Sequence, residues 1–156
     1  MKIGVDESNK SYRLPTESEW QYAAQGGNVS KGYIFSGSNK LKNVCGIPKG
    51  RGYAELSYPI GIYEPNELGI YDMTGNVYEW CYDWYGRYSS DIQKDPKGPE
   101  TGKQKVVRGG DWTEFSINLR TSNRNKFRPD FDGSRTEAYG SKTYWIYIGF
   151  RIAKSN

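Results

Sequence analysis

Between Val77 and Trp84 the chain alternates with period two. Tyr78, Trp80, Tyr82 and Trp84 fall on one side of an extended segment, and Val77, Glu79, Cys81 and Asp83 fall on the other. A strand is the conformation that sorts residues this way, and here one of its faces is a block of aromatics. The other face puts Glu79 between an apolar residue and a thiol, where a carboxylate needs a cation or several donors to offset its desolvation. Asp72, just before the Gly75-Asn76 turn, is the nearest carboxylate to share such a cation. Two readings follow. Two carboxylates flanking a turn whose carbonyls point inward make a pocket for a hard cation such as calcium, which takes about six to eight oxygens. Alternatively, Asp72 bonds turn amides while Glu79 pairs with an arginine. Spacing alone favours the second reading, because short acidic turns are common.

A chain of 156 residues fits one domain, 1–156, whose core does not depend on metal or disulfide staples. Only 35% of its residues are hydrophobic, so the 14 Tyr and 5 Trp must fill much of that core, with polar tips reaching turns or solvent. The lack of histidine excludes histidine-based hydrolase triads and zinc sites within the chain. Cys45 and Cys81 have no CxxC spacing and leave one disulfide or two buried thiols equally open. A net charge of +4, spread over scattered Lys and Arg, argues only weakly for polyanionic partners. No apolar run is long enough to span a membrane, and Met1–Asp6 lacks the apolar core of a signal peptide.

Thr16 and Glu19 predict a capping box, Gly26 a stop, and the residues between them a helix of two to three turns with Trp20, Ala23 and Ala24 on one face. From Asn28 to Asn66 coil should dominate, with short candidate strands at Gly32–Phe35 and Tyr58–Tyr63. Lys105–Val107 reads as a strand running into Arg108-Gly109-Gly110, where the glycines imply a bulge or a close backbone approach. Thr113–Ser141 reads as irregular, and Tyr144–Ile152 as a closing central strand.

Four motifs occur in order: Arg13-Leu14-Pro15-Thr16-Glu17-Ser18-Glu19-Trp20, the Gly69–Trp80 stretch, Arg108-Gly109-Gly110-Asp111-Trp112 and Ile148-Gly149-Phe150-Arg151. Together they resemble the sulfatase-modifying-factor family, whose founding activity is formylglycine generation. The resemblance runs from about Tyr12 to Ile152. It implies an α+β, C-type-lectin-like fold: a small twisted mixed sheet, short helices and long ordered loops. Members generally carry a sizeable segment before the Arg-Leu-Pro-Thr motif, so the expectation is a minimal version or a trimmed fragment. The resemblance also implies structural Ca2+ on the side chains of Asp72 and Glu79 and the carbonyls of Gly75 and Val77. The enzyme's paired, copper-binding cysteines would fall at Glu114 and Leu119, neither of which forms a thiolate. Formylglycine synthesis is therefore not expected.

With that pair replaced, the 113–147 segment is expected to be a loop-borne recognition surface. Thr113, Glu114, Phe115, Ile117, Asn118, Asn123, Asn125, Phe127, Tyr139, Tyr144 and Trp145 supply the mix of aromatics and asparagine that adaptable binding surfaces use. Variable proteins of diversity-generating retroelements resemble the chain in fold, in Arg-Gly-Gly-x-Trp and in the terminal Gly-Phe-Arg, and place hypervariable residues between these motifs. The expected partner is a protein or glycan on another surface, and an exported, cell-surface or phage-associated setting is favoured over the cytosol. An enzyme using Asp111, Glu114 or Asp130, or an oxygen-dependent oxidoreductase borrowing ligands from a partner domain, is the competing class. Nucleic-acid binding by Arg120, Arg124, Lys126 and Arg128, spaced for one helix face, is disfavoured by Pro129, by the Asn-rich context and by the resemblance, which matches Arg120 and Arg124 to recurring arginines of the family that hold loops.

Overall fold

The computed structural model describes residues 12–46, 57–112, 114–131, 134–136, 143–145 and 147–155. Strand β2 (Tyr78–Trp84) is the hub of a four-stranded mixed sheet. It pairs antiparallel with β3 (Lys105–Arg108), setting Glu79 opposite Arg108, and a register shift falls between Trp80 and Trp84. The outer face of β3 takes β4 (Asn125–Phe127) antiparallel, and the other edge of β2 takes β7 (Ile148–Gly149) parallel. Strands β1 (Tyr12–Arg13) and β8 (Ala153–Lys154) pair antiparallel, as do β5 (Ser134–Thr136) and β6 (Thr143–Trp145). The fold is α+β, of the formylglycine-generating-enzyme-like type.

Helix α1 (Glu17–Ala24) forms where its capping signals predict: Thr16 accepts from the Glu19 amide at 3.2 Å, and Glu19 accepts from the Thr16 amide at 2.8 Å. Gly26, at φ 86°, takes the left-handed conformation that ends it. Trp20 and Ala24 pack with Met73, Cys81 and Val106 into one core cluster. A second cluster joins Phe35 and Leu119 to Val44 and Cys45, where the short helix α2 (Leu41–Val44) ends.

Three expectations are corrected. Gly32–Phe35 and Tyr58–Tyr63 are not strands, because Gly32 and Gly61 take φ of 69° and 76° and turn the chain; only a single bridge, Phe35 to Ser38, survives. Tyr144–Ile152 is not one central strand. It breaks into β6 and β7, and β7 is a two-residue edge beside β2, whose inner side β3 already occupies. The aromatic face of β2 is also the more open one: Tyr82 is 53% exposed, whereas Glu79, Cys81 and Asp83 are buried. Helix α1 covers the latter face and brings the donors that make burial of its carboxylates tolerable.

Candidate functional site

One line of charge and aromatic contacts threads the core. Arg124 donates to both oxygens of Glu17, and its Nε lies 2.8 Å from Oε1. Arg108 Nη1 reaches the same Oε1 at 2.8 Å, and the Tyr88 hydroxyl donates to it at 2.9 Å. The Arg108 guanidinium sits over the Trp20 ring, 5.0 Å from its centroid, while Trp20 Nε1 donates to Glu79 Oε2 at 2.6 Å. Arg151 then closes on both Glu79 oxygens as a fork. The run Arg124–Glu17–Arg108–Trp20–Glu79–Arg151 takes at least one member from each of the four motifs that mark the sequence. These motifs therefore specify a shared buried frame, and Glu17, which reads in sequence as an ordinary first-turn helix acid, is its most connected carboxylate.

The 114–131 stretch stands on this frame. Glu114 accepts from the Tyr78 hydroxyl and from Asn118 Nδ2, both at 2.7 Å; Asn125 donates to the Tyr78 hydroxyl at 3.1 Å, and Asn123 to the Asn118 carbonyl at 2.8 Å. The polar residues expected on the surface thus brace the loop from within, half-buried. Phe127 stacks on Phe131 at 4.6 Å and meets Tyr78 edge-on at 5.6 Å. Phe115 and Ile117 point outward, 61% and 59% exposed. Leu119 is a core residue, 1% exposed. Tyr144 and Trp145 are placed by backbone in β6, while Thr113 and Tyr139 lie outside the described residues. The four cations proposed as a helical stripe do not form one: Arg124 is spent on Glu17, Lys126 lies in β4 over Tyr85, Arg128 pairs with Asp130, and Arg120 caps the Ile117 carbonyl.

At the acidic turn, Asp72 Oδ2 accepts the Gly61 amide at 2.7 Å, and Asp72 and Asn76 adopt φ of 58° and 64°. A side chain at Gly75 would collide with the Cys45 sulfur, so the turn admits only glycine there. The donor set fits calcium in part. A carboxylate and backbone carbonyls are donors that calcium takes, but Asp72 already accepts from the Gly61 amide and Glu79 arrives matched by Arg151 and Trp20. Among the described residues, no cluster of three or more His, Cys, Asp or Glu side chains gathers to hold an ion.

The sulfatase-modifying factor enzyme 1-like domain matches residues 4–155. The chain belongs to this family. Its relatives include the serine/threonine-protein kinase pkn1 of Chlamydia pneumoniae, 38% identical over a 151-residue alignment that covers 92% of this chain and 21% of that protein. The formylglycine-generating enzyme of Mus musculus is 32% identical over 162 residues, covering 90% of this chain and 38% of the enzyme. Among solved structures, Treponema denticola variable protein 1 superposes with a TM-score of 0.73 at 31% identity, over 94% of this chain and 49% of that one. PvdO from Pseudomonas aeruginosa gives 0.71 at 27% identity, over 96% and 55%. The chain thus spans about a fifth to a half of the length of these relatives.

Within this sulfatase-modifying-factor-type domain, both thiols are free and buried, and burial pushes each up: Cys45 to about 11, and Cys81 further. Neither lies in the 114–131 stretch. No helix among the described residues is long and apolar enough to cross a membrane.

Proposed function

We propose that this chain is a non-catalytic ligand-binding module whose recognition surface lies in the 113–147 segment and engages a protein or glycan on another surface. The observation that carries the reading is what stands at positions 114 and 119: a carboxylate hydrogen-bonded to Tyr78 and Asn118, and a leucine sealed in the core. Neither supplies a redox thiolate, and the thiols the chain does have are held protonated at neutral pH. Phe115 and Ile117 project from a loop braced by Glu114, Asn118 and Asn123, an arrangement in which a rigid base presents apolar contacts. The variant Ile117→Ser should keep the wild-type melting temperature and weaken capture of a ligand selected from a glycan or cell-surface protein array, and the double variant Phe115→Ser, Ile117→Ser should lose it. Oxygen consumption by the purified chain on a cysteine-bearing peptide would overturn the reading in favour of an oxidoreductase or sulfatase-modifying-type enzyme.

The variable-protein version of this reading is supported by the likeness to the Treponema denticola protein. It requires that related gene copies differ chiefly between positions 113 and 147; evenly spread differences would remove it. Calcium at the Asp72 turn belongs to the same proposal. Chelation should lower the melting temperature by mass action, and Asp72→Asn should abolish that shift. An unchanged melting temperature on chelation would leave Arg151 as the only cation at Glu79.

A further inference from the structure

A cavity of about 640 Å³ opens where the first turn of α1 and the end of β2 meet the 86–99 loop, with Ser122 and Arg124 of the 113–147 segment on one wall and away from Phe115 and Ile117. We propose that it binds a small aromatic carboxylate. Its volume lies in the range of small-molecule sites, roughly 300–1,000 Å³.

The charge on its walls argues for an anion. Its two acids are already engaged: Glu17 by Arg108, Arg124 and Tyr88, and Asp83 by the Glu17 amide at 2.8 Å. Arg87 and Lys97 also line it, both exposed and in none of the ion pairs among the described residues. Glu17 is outweighed by its two arginines, and Asp83 is the only other acid on the wall, so the two rim cations leave the cavity net positive.

The shape argues for a ring. Tyr88 has its hydroxyl anchored on Glu17 and Arg124 over one face of its ring, 4.1 Å from the centroid, yet the residue is 69% exposed, so the opposite face of a fixed ring is offered to solvent. Trp84, Pro96 and Pro99 supply further flat apolar surface. The wall is preformed: a Cβ at Gly86 would lie 2.6 Å from Pro99, one at Gly98 3.0 Å from Asp83 and from the Trp84 carbonyl, and Ser18 ties the loop to α1 through the Pro96 carbonyl at 3.2 Å. A flat body can rest on Tyr88 while its carboxylate meets Arg87 and Lys97.

Titration of the full chain with phenylacetate, phenylacetamide and acetate, followed by NMR, tests this. Phenylacetate should bind saturably and shift amides of residues 84–99, while the neutral amide and the ringless acetate bind about tenfold more weakly or worse, as loss of a charge-assisted bond or of the stacked ring requires. The double variant Arg87→Gln, Lys97→Gln should weaken phenylacetate by about tenfold at an unchanged melting temperature, since neither side chain braces the core. No saturation by about 20 mM, equal binding of acid and amide, or indifference to the double variant would each overturn the proposal. None of these outcomes bears on Phe115 or Ile117, so this site and the loop surface stand or fall separately.

Discussion

Glu17 and Glu79 sit on either side of Trp20, both buried and both met by arginine, but they are enclosed to different degrees. Glu17 serves two guanidiniums whose side chains are 0% and 16% exposed, whereas Glu79 serves one, Arg151, that is 25% exposed and is joined by an indole N–H. At the first, one buried and one half-buried cation depend on the same acid. At the second, one cation keeps a path to water. The difference shows where the frame is committed: Glu17 locks α1 to β3 and to the segment before β4, while Glu79 fastens the chain end to the sheet. The 114–131 stretch, which contains Arg124, is therefore held by the more tightly enclosed of the two.

The sharpest way to break this comparison is Glu17→Ala. It strands Arg108 and Arg124 without a counter-charge and should cost about 3–5 kcal/mol, a large share of a typical domain's stability. Urea denaturation reads it as a fall in midpoint, and an unmoved midpoint would mean that Arg108 finds another acceptor. Glu79→Gln should cost less, about 2 kcal/mol, because the amide still accepts from Trp20 and Arg151 can turn to solvent. Equal losses in the two variants would erase the distinction between the ends.

How much of this was legible in the chain depends on whether the signal was local. The Thr16–Glu19 cap, the Gly26 stop and the alternation through Trp84 are local, and each formed where it was expected. The demand of Glu79 for a cation or donors could be read from its neighbours, and the pairing with an arginine that spacing favoured is the one the geometry displays. Glu17 could not be found that way, because a first-turn acid usually faces water and complements the helix dipole. Only the packing of α1 on the sheet turns it inward. Arg124 was marked only by the resemblance, as a loop-holding arginine: spacing grouped it with Arg120, Lys126 and Arg128, and nothing local says that a strand begins at Asn125. The asparagines read as adaptable surface are spent on bracing, since a long loop must satisfy its own polar groups before it can present any. The 86–99 cavity lies between segments far apart in sequence, so no window could reveal it.

A third carboxylate calibrates the other two. Glu19 shares the first turn of α1 with Glu17 but faces outward and pairs with Arg13, the two side chains being 45% and 35% exposed. Chiefly through the Arg13 hydrogen bonds, and against some desolvation, its carboxyl is held down at about 2. A depressed carboxylate contributes stability that is present above its unfolded value, near 4.5, and is lost as pH falls toward about 2. Solvent screening limits that contribution to about 0.2–1 kcal/mol, far below the effect at Glu17 despite the near-identical sequence position. Arg13→Gln should therefore lower the urea midpoint slightly at pH 7, and the variant and wild-type curves should converge between pH 4.5 and 2 as Glu19 protonates. The capping bonds between Thr16 and Glu19 survive the substitution, so α1 itself should not unravel. A gap that persists at pH 2 would assign the role of Arg13 to its contacts with Ser155 and the Leu14 carbonyl, making it a tie between the chain ends rather than a partner for Glu19.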